Sequence, residues 1–140
     1  MPLAYGGPPV RVVNVAQAIV LIGHGSPDPD WAAPVEEVAR TIQANQPACP
    51  VATAYLSGGQ ASLDQALTQV MQRGAREVTI LACLLSAGGR HVKQDLPQLV
   101  AAAKHRWPDI AITLQPGALG SEPVVLAALA SAALASVRAT

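Results

Sequence analysis

The chain is predicted to fold as an α/β protein, a single three-layer domain with helices on both faces of a four-stranded parallel sheet. Three observations point there. Short apolar runs alternate with stretches of helical period, which is the pattern of repeated βαβ units. Two of the runs, Ala18–Ile22 and Val78–Leu85, are the most continuously apolar, with Thr79 the single polar residue in the second, as strands buried on both faces tend to be. The other two are shorter or more interrupted, each carrying a threonine, as suits sheet edges. A length of 140 residues with nine basic and nine acidic side chains suits one domain whose core can stand without disulfides or metal staples.

The elements follow in order. Ala18-Ile19-Val20-Leu21-Ile22 reads as strand one. Helix one has Asp30 as its expected N-cap and Pro34 in its first turn, where backbone N–H groups lack intrahelical partners anyway. Its Val35, Val38, Ala39 and Ile42 share one face. Val51–Leu56 is strand two. Ser62 and Gln65 form a capping box that opens helix two, with Leu63, Ala66, Leu67, Val70 and Met71 on the apolar side and Gly74 as terminator. Val78–Leu85 is strand three. Helix three carries Leu96, Leu99, Val100 and Ala103 and closes at Trp107-Pro108. Ile110–Leu114 is strand four. Ser121 is the expected cap of a final alanine-rich helix in which Leu126, Leu129, Ala133, Leu134 and Val137 keep helical spacing. With strands one and three central, right-handed crossovers give the order 2-1-3-4.

Residues 1–17 read as a loosely ordered extension and residues 18–140 as the domain. The start lacks a basic segment followed by an apolar core, so it does not read as a secretory signal. No run of 18 apolar residues marks a membrane span, and a cytoplasmic protein is expected. Balanced charge and 3% aromatic residues argue against a nucleic-acid surface. Cys49 and Cys83 have no metal or redox spacing, and Cys83, inside an apolar run, reads as a small buried hydrophobe.

Two histidines carry the candidate chemistry. His24 sits between Gly23 and Gly25 directly after strand one. His91 follows Gly88-Gly89-Arg90, after strand three. In a sheet of this order the winding reverses between strands one and three, and ligands bind at the carboxyl ends of the strands there. Neutral imidazole can take up a proton or bind a divalent metal ion. Two such groups across a crevice leave coordination positions open, unlike the four closed ligands of structural zinc. Gly25, Ser26, Gly88 and Gly89 would shape a wide, shallow mouth. Arg90 and Lys93 would suit a ligand bearing carboxylates or phosphates, as would the start of helix three, where free amides favour anions. His105, between Lys104 and Arg106, reads as a solvated residue near a helix end. Asp95 reads as a first-turn carboxylate. No HExxH, CxxC or P-loop is present.

Several segments together carry a resemblance. Gly23-His24-Gly25-Ser26 with Asp28-Pro29, Ala54-Tyr55-Leu56 followed by Ser62-Leu63-Asp64-Gln65-Ala66-Leu67, and Arg73 to Val78 leading to Gly89-Arg90-His91-Val92-Lys93-Gln94-Asp95-Leu96-Pro97 all resemble the small CbiX-type chelatases. The likeness runs from about Ala18 to Gly120 and keeps both histidine motifs in register. It implies the chelatase α/β fold and insertion of a divalent metal ion into sirohydrochlorin, a tetrapyrrole, on the way to cobalamin, siroheme or the nickel tetrapyrrole. The metal ion is then a substrate, Co²⁺ first with Fe²⁺ or Ni²⁺ as alternatives, and no organic cofactor is implied. His24 and His91 would bind metal and accept pyrrole protons, and the protein would pair as a homodimer. The chain departs from many relatives at Ser57, where they carry a glutamate after strand two. A non-catalytic tetrapyrrole or metal-ion carrier of the same fold is therefore the alternative. A histidine phosphatase also places a histidine after strand one, but its Arg-His-Gly motif needs arginine where this chain has Gly23.

Overall fold

The computed structural model describes residues 16–57, 59 and 61–138, without the side chains of His91 and Arg138. Strands β1 (Gln17–Gly23), β2 (Val51–Tyr55), β3 (Glu77–Ala82) and β4 (Ala111–Ala118) form one sheet. Its order is β2-β1-β3-β4, and every neighbouring pair is parallel. The helices are α1 (Ala33–Asn45), α2 (Leu63–Gln72), α3 (Leu96–Arg106) and α4 (Pro123–Arg138). The predicted class, strand order and edge assignments therefore hold. Gln17 already belongs to β1, the Ala16 carbonyl accepts from the Arg76 and Glu77 N–H groups, and residues 1–15 of the expected extension lie outside the described residues.

Strand periodicity divides the core in two. Alternate β1 residues Ala18, Val20 and Ile22 face α2 and α3, where Leu63, Ala66, Leu67, Val70, Leu96, Val100 and Ala103 are buried against them. Ile19 and Leu21 point the other way, toward Val35, Ala39 and Ile42 of α1. That split follows from the two-residue repeat of a strand. Burying a Leu or Val side chain completely contributes about 1.5–3 kcal/mol, so the fully buried Leu21, Leu67 and Val70 anchor both layers. The Ser62–Gln65 capping box forms as predicted, Ser62 accepting from the Gln65 N–H at 3.2 Å and Gln65 accepting from the Ser62 N–H at 2.8 Å.

Five local expectations change. Asp28, not Asp30, does the capping: it accepts from the Asp30 N–H at 3.0 Å and opens a 3-10 turn, Pro29–Trp31, ahead of α1. The expected strand three stops at Ala82, because Cys83–Leu85 peel away once Cys83 has donated to the Ile22 carbonyl. β4 runs on to Ala118 through a register shift opposite Ile80–Ala82. Ser121 lies in a 3-10 turn, Leu119–Ser121, and the Glu122 carbonyl accepts the first bonds of α4 from Val125 and Leu126. Cys83 is only half-buried, and Cys49 is the fully buried cysteine.

α4 is helical where expected, yet its apolar positions are not core. Leu126, Leu129, Leu134 and Val137 are 47–73% exposed. At 100° per residue these four fall on one side of the helix. Its apolar stripe faces solvent in the single chain.

Candidate functional site

The parallel register puts the carboxyl ends of β1 and β3 side by side, Ile22 opposite Ala82. His24 is the first residue beyond β1. His91 opens a π-helical turn, His91–Asp95, that runs directly into α3. Both histidine-bearing loops thus leave the same edge of the sheet from its two central strands. Arg90 and Lys93 are exposed beside His91, and Gly88 and Gly89 form the exposed loop before it. The Ser86 hydroxyl accepts from the Gly88 N–H at 3.0 Å and steadies that loop.

The His24 turn is held tightly for an exposed segment. His24 Nδ1–H donates to the Gly25 carbonyl at 3.1 Å. A carbonyl can only accept, so Nδ1 is the donor in this contact, and the neutral ring in that tautomer carries its lone pair on Nε2. A histidine that ligates metal commonly donates its other N–H to a carbonyl in this way, which fixes tautomer and ring direction. The end of β2 grips the backbone. Leu56 N–H donates to the Gly23 carbonyl at 3.2 Å, and Ser57 N–H donates to the His24 carbonyl at 3.1 Å. Ser57 Oγ adds a second bond to the His24 carbonyl at 3.3 Å. Ser57 therefore puts a hydroxyl on the backbone of His24 at the position where a carboxylate was the alternative. Ser26 accepts from the Asp28 N–H at 3.1 Å and closes the turn. Gly25 has φ +91°, and a Cβ there would lie 2.0 Å from the Ser57 carbonyl oxygen. Only glycine meets both conditions.

A polar cluster that sequence reasoning missed lies next to this turn. Glu36 Oε1 on α1 accepts from Thr53 Oγ at 2.7 Å and from the Tyr55 hydroxyl at 2.7 Å. The Tyr55 ring covers Gly23, where a Cβ would come 2.7 Å from Tyr55 Cε1. Burial first, and then the bond to Glu36 and its charge, raise the Tyr55 phenol well above its usual range. The signal was present in the strand alternation: Thr53 and Tyr55 share one face of β2, the face toward α1.

Two open pockets frame the molecule. On the α1 side, an apolar groove of about 660 Å³ is lined by Val35, Val38, Cys83, Leu85, Leu119 and Leu129 among others. Burial raises the Cys83 thiol above its usual range, so it is no ready thiolate. On the opposite side a pocket of about 650 Å³ is lined by Asp64, Gln65, Arg106 and Trp107 among others. None of the predicted site residues lines either. Among the described side chains, which exclude that of His91, no three His, Cys, Asp or Glu residues come together as a metal cage.

Comparison with known proteins gives a consistent picture. The CbiX family model matches residues 18–135. The sirohydrochlorin cobaltochelatases of Methanococcus maripaludis and Methanococcus aeolicus are each 31% identical over 84 residues. Each match takes in 60% of this chain and 58% of the relative, so the chain spans little more than half the length of these curated relatives. Among solved structures, the CbiX protein from Marinobacter aquaeolei VT8 superimposes with a TM-score of 0.76 at 23% identity, over 89% of this chain and 99% of that one. The sirohydrochlorin chelatase SirB from Bacillus subtilis subspecies spizizenii, solved with cobalt, gives 0.61 at 25% identity, over 70% of this chain and 42% of that one.

Proposed function

The chain belongs to the CbiX family, and from that premise we propose that it inserts a divalent metal ion, Co²⁺ first, into sirohydrochlorin. The observation that carries the proposal is the placement of both histidine loops on the carboxyl edge of adjacent central strands, with the backbone of His24 held by Leu56 and Ser57. Insertion requires loss of two pyrrole protons as the metal enters the ring. Neutral imidazoles at His24 and His91 can bind the incoming ion and accept those protons. Arg90 and Lys93, exposed beside the second histidine, can hold peripheral carboxylates. Gly25, Ser26, Gly88 and Gly89 leave the mouth low enough for a flat macrocycle. Among the described residues no helix is long and apolar enough to cross a membrane, and a cytoplasmic location belongs to the same proposal.

The test is insertion measured in parallel with Co²⁺, Ni²⁺ and Fe²⁺ by following the absorbance of sirohydrochlorin. Turnover above the uncatalysed rate is expected, fastest with cobalt. Tight binding of the macrocycle without turnover would replace the chelatase with a carrier.

The exposed stripe on α4 supports homodimer formation. A contiguous apolar face of this kind is unusual on a monomer and marks a contact surface. Light scattering is expected to give twice the chain mass. The double variant Leu129→Glu with Leu134→Glu is expected to run as a monomer, and an unchanged mass for that variant would exclude α4 from the interface.

A further inference from the structure

We propose that Glu36 and Tyr55 are a positioning pair for His24, acting through the end of β2. The end of β2 holds the backbone carbonyls of both Gly23 and His24, through Leu56 and Ser57. The Tyr55 side chain adds a fixed direction to that end of β2, whose backbone is already paired with β1 and whose Tyr55 N–H donates to the Ala61 carbonyl. Its ring lies against Gly23, its register partner across the sheet, and its hydroxyl is fixed on α1 by the 2.7 Å bond to Glu36. Thr53 anchors the same carboxylate oxygen from the same strand at 2.7 Å. A rigid line therefore runs from Glu36 through Tyr55 and the peptide of Ser57 to the residue that carries the imidazole.

The chemistry of the pair fits positioning better than packing. Tyr55 is 9% exposed, and an apolar ring with an apolar partner on α1 would fill that space equally well. A half-buried carboxylate costs desolvation that two hydroxyl donors offset. The return is direction, since a charge-assisted hydrogen bond fixes the ring along one line whereas apolar contact lets it slide. Glu36 and Tyr55 reach the reaction only through His24.

The catalytic consequence rests on His24 acting in insertion, whereas the structural consequence does not, so the experiment reads both. In the full chain, Tyr55→Phe keeps the ring and removes the hydroxyl, and Glu36→Gln keeps an acceptor. Tyr55→Phe is expected to shift or broaden the amide resonances of His24 and Gly25. It is also expected to lower kcat for cobalt insertion roughly 10-fold, the lower end for outer-shell partners of a metal ligand, with KM for the macrocycle unchanged. Glu36→Gln, which keeps an oxygen acceptor but loses the charge, is expected to fall between the wild type and Tyr55→Phe on both. Unmoved His24 and Gly25 resonances in Tyr55→Phe would overturn the proposal, as would an unchanged kcat in Tyr55→Phe where His24→Ala does lose insertion. If Tyr55→Phe moves those resonances while His24→Ala still inserts cobalt at the normal rate, the positioning stands and the reading of His24 as a catalytic group falls.

Discussion

Replacing His24 with alanine is expected to lower cobalt insertion by roughly 10²–10⁴-fold, the range for removing a positioned proton acceptor, and His91→Ala is expected to do the same. Each imidazole is assigned two tasks, ligand to the incoming ion and acceptor for a pyrrole proton, and alanine performs neither. The fold should be untouched, because His24 is exposed on a turn and is absent from both halves of the core. Steady-state insertion rates beside thermal melts separate the two effects. Normal rates in both variants would sink the mechanism, and a loss confined to one would leave a single-histidine site.

Gly25→Ala carries the largest expected effect on stability. The new methyl carbon would stand 2.0 Å from the Ser57 carbonyl oxygen and 2.7 Å from its carbon, both backbone atoms, at φ +91°. Backbone atoms cannot rotate away as a flexible side chain can, so either the turn opens or the end of β2 moves. The positive φ alone costs about 1–2 kcal/mol for an L residue, and the collision raises the total to roughly 3 kcal/mol or more, within the range for large single-site effects. Gly74 supplies the control. Its φ is +95°, but a Cβ there meets nothing within 4 Å, so Gly74→Ala should show the conformational part alone. Denaturant unfolding of the two variants measures the difference. Equal losses would mean that the Ser57 contact relaxes freely. Because Ser57 also holds the His24 carbonyl through its N–H and hydroxyl, Gly25→Ala should also lose insertion activity at temperatures where it remains folded.

Much of this architecture could be read from residue order. β1 is apolar at five consecutive positions, as strands covered on both faces tend to be, and the shorter, threonine-interrupted runs around Thr53 and Thr113 suited the edges, although central β3 also carries Thr79. The capping box at Ser62 and Gln65 is a local device, and local devices survive folding unchanged. Errors gathered where a local signal competed with a non-local one. Asp30 looked like a cap, but Asp28 reached the free N–H first through a 3-10 turn that Pro29 favours. The apolar run Val78–Leu85 looked like one strand, yet a strand lasts only as long as its neighbours do. β1 ends at Gly23, which leaves Leu85 68% exposed at the rim.

For the site the division is the same. Glycine-flanked histidines after two buried strands can be seen in the linear pattern, because strand ends and tight turns are properties of short segments. That pattern, together with helical spacing, determined the fold class, the strand order and the two loops that carry the candidate chemistry. Glu36 with Tyr55, and Ser57 on the His24 carbonyl, cannot be seen that way. They join residues 19 and 33 positions apart on elements that meet only once the crossover has closed. Helical spacing alone likewise could not say whether the apolar stripe of α4 is core or surface. Tertiary structure decided these points, because a hydrogen bond or a buried face depends on which elements come into contact, and contact between distant segments is set by packing of the whole chain.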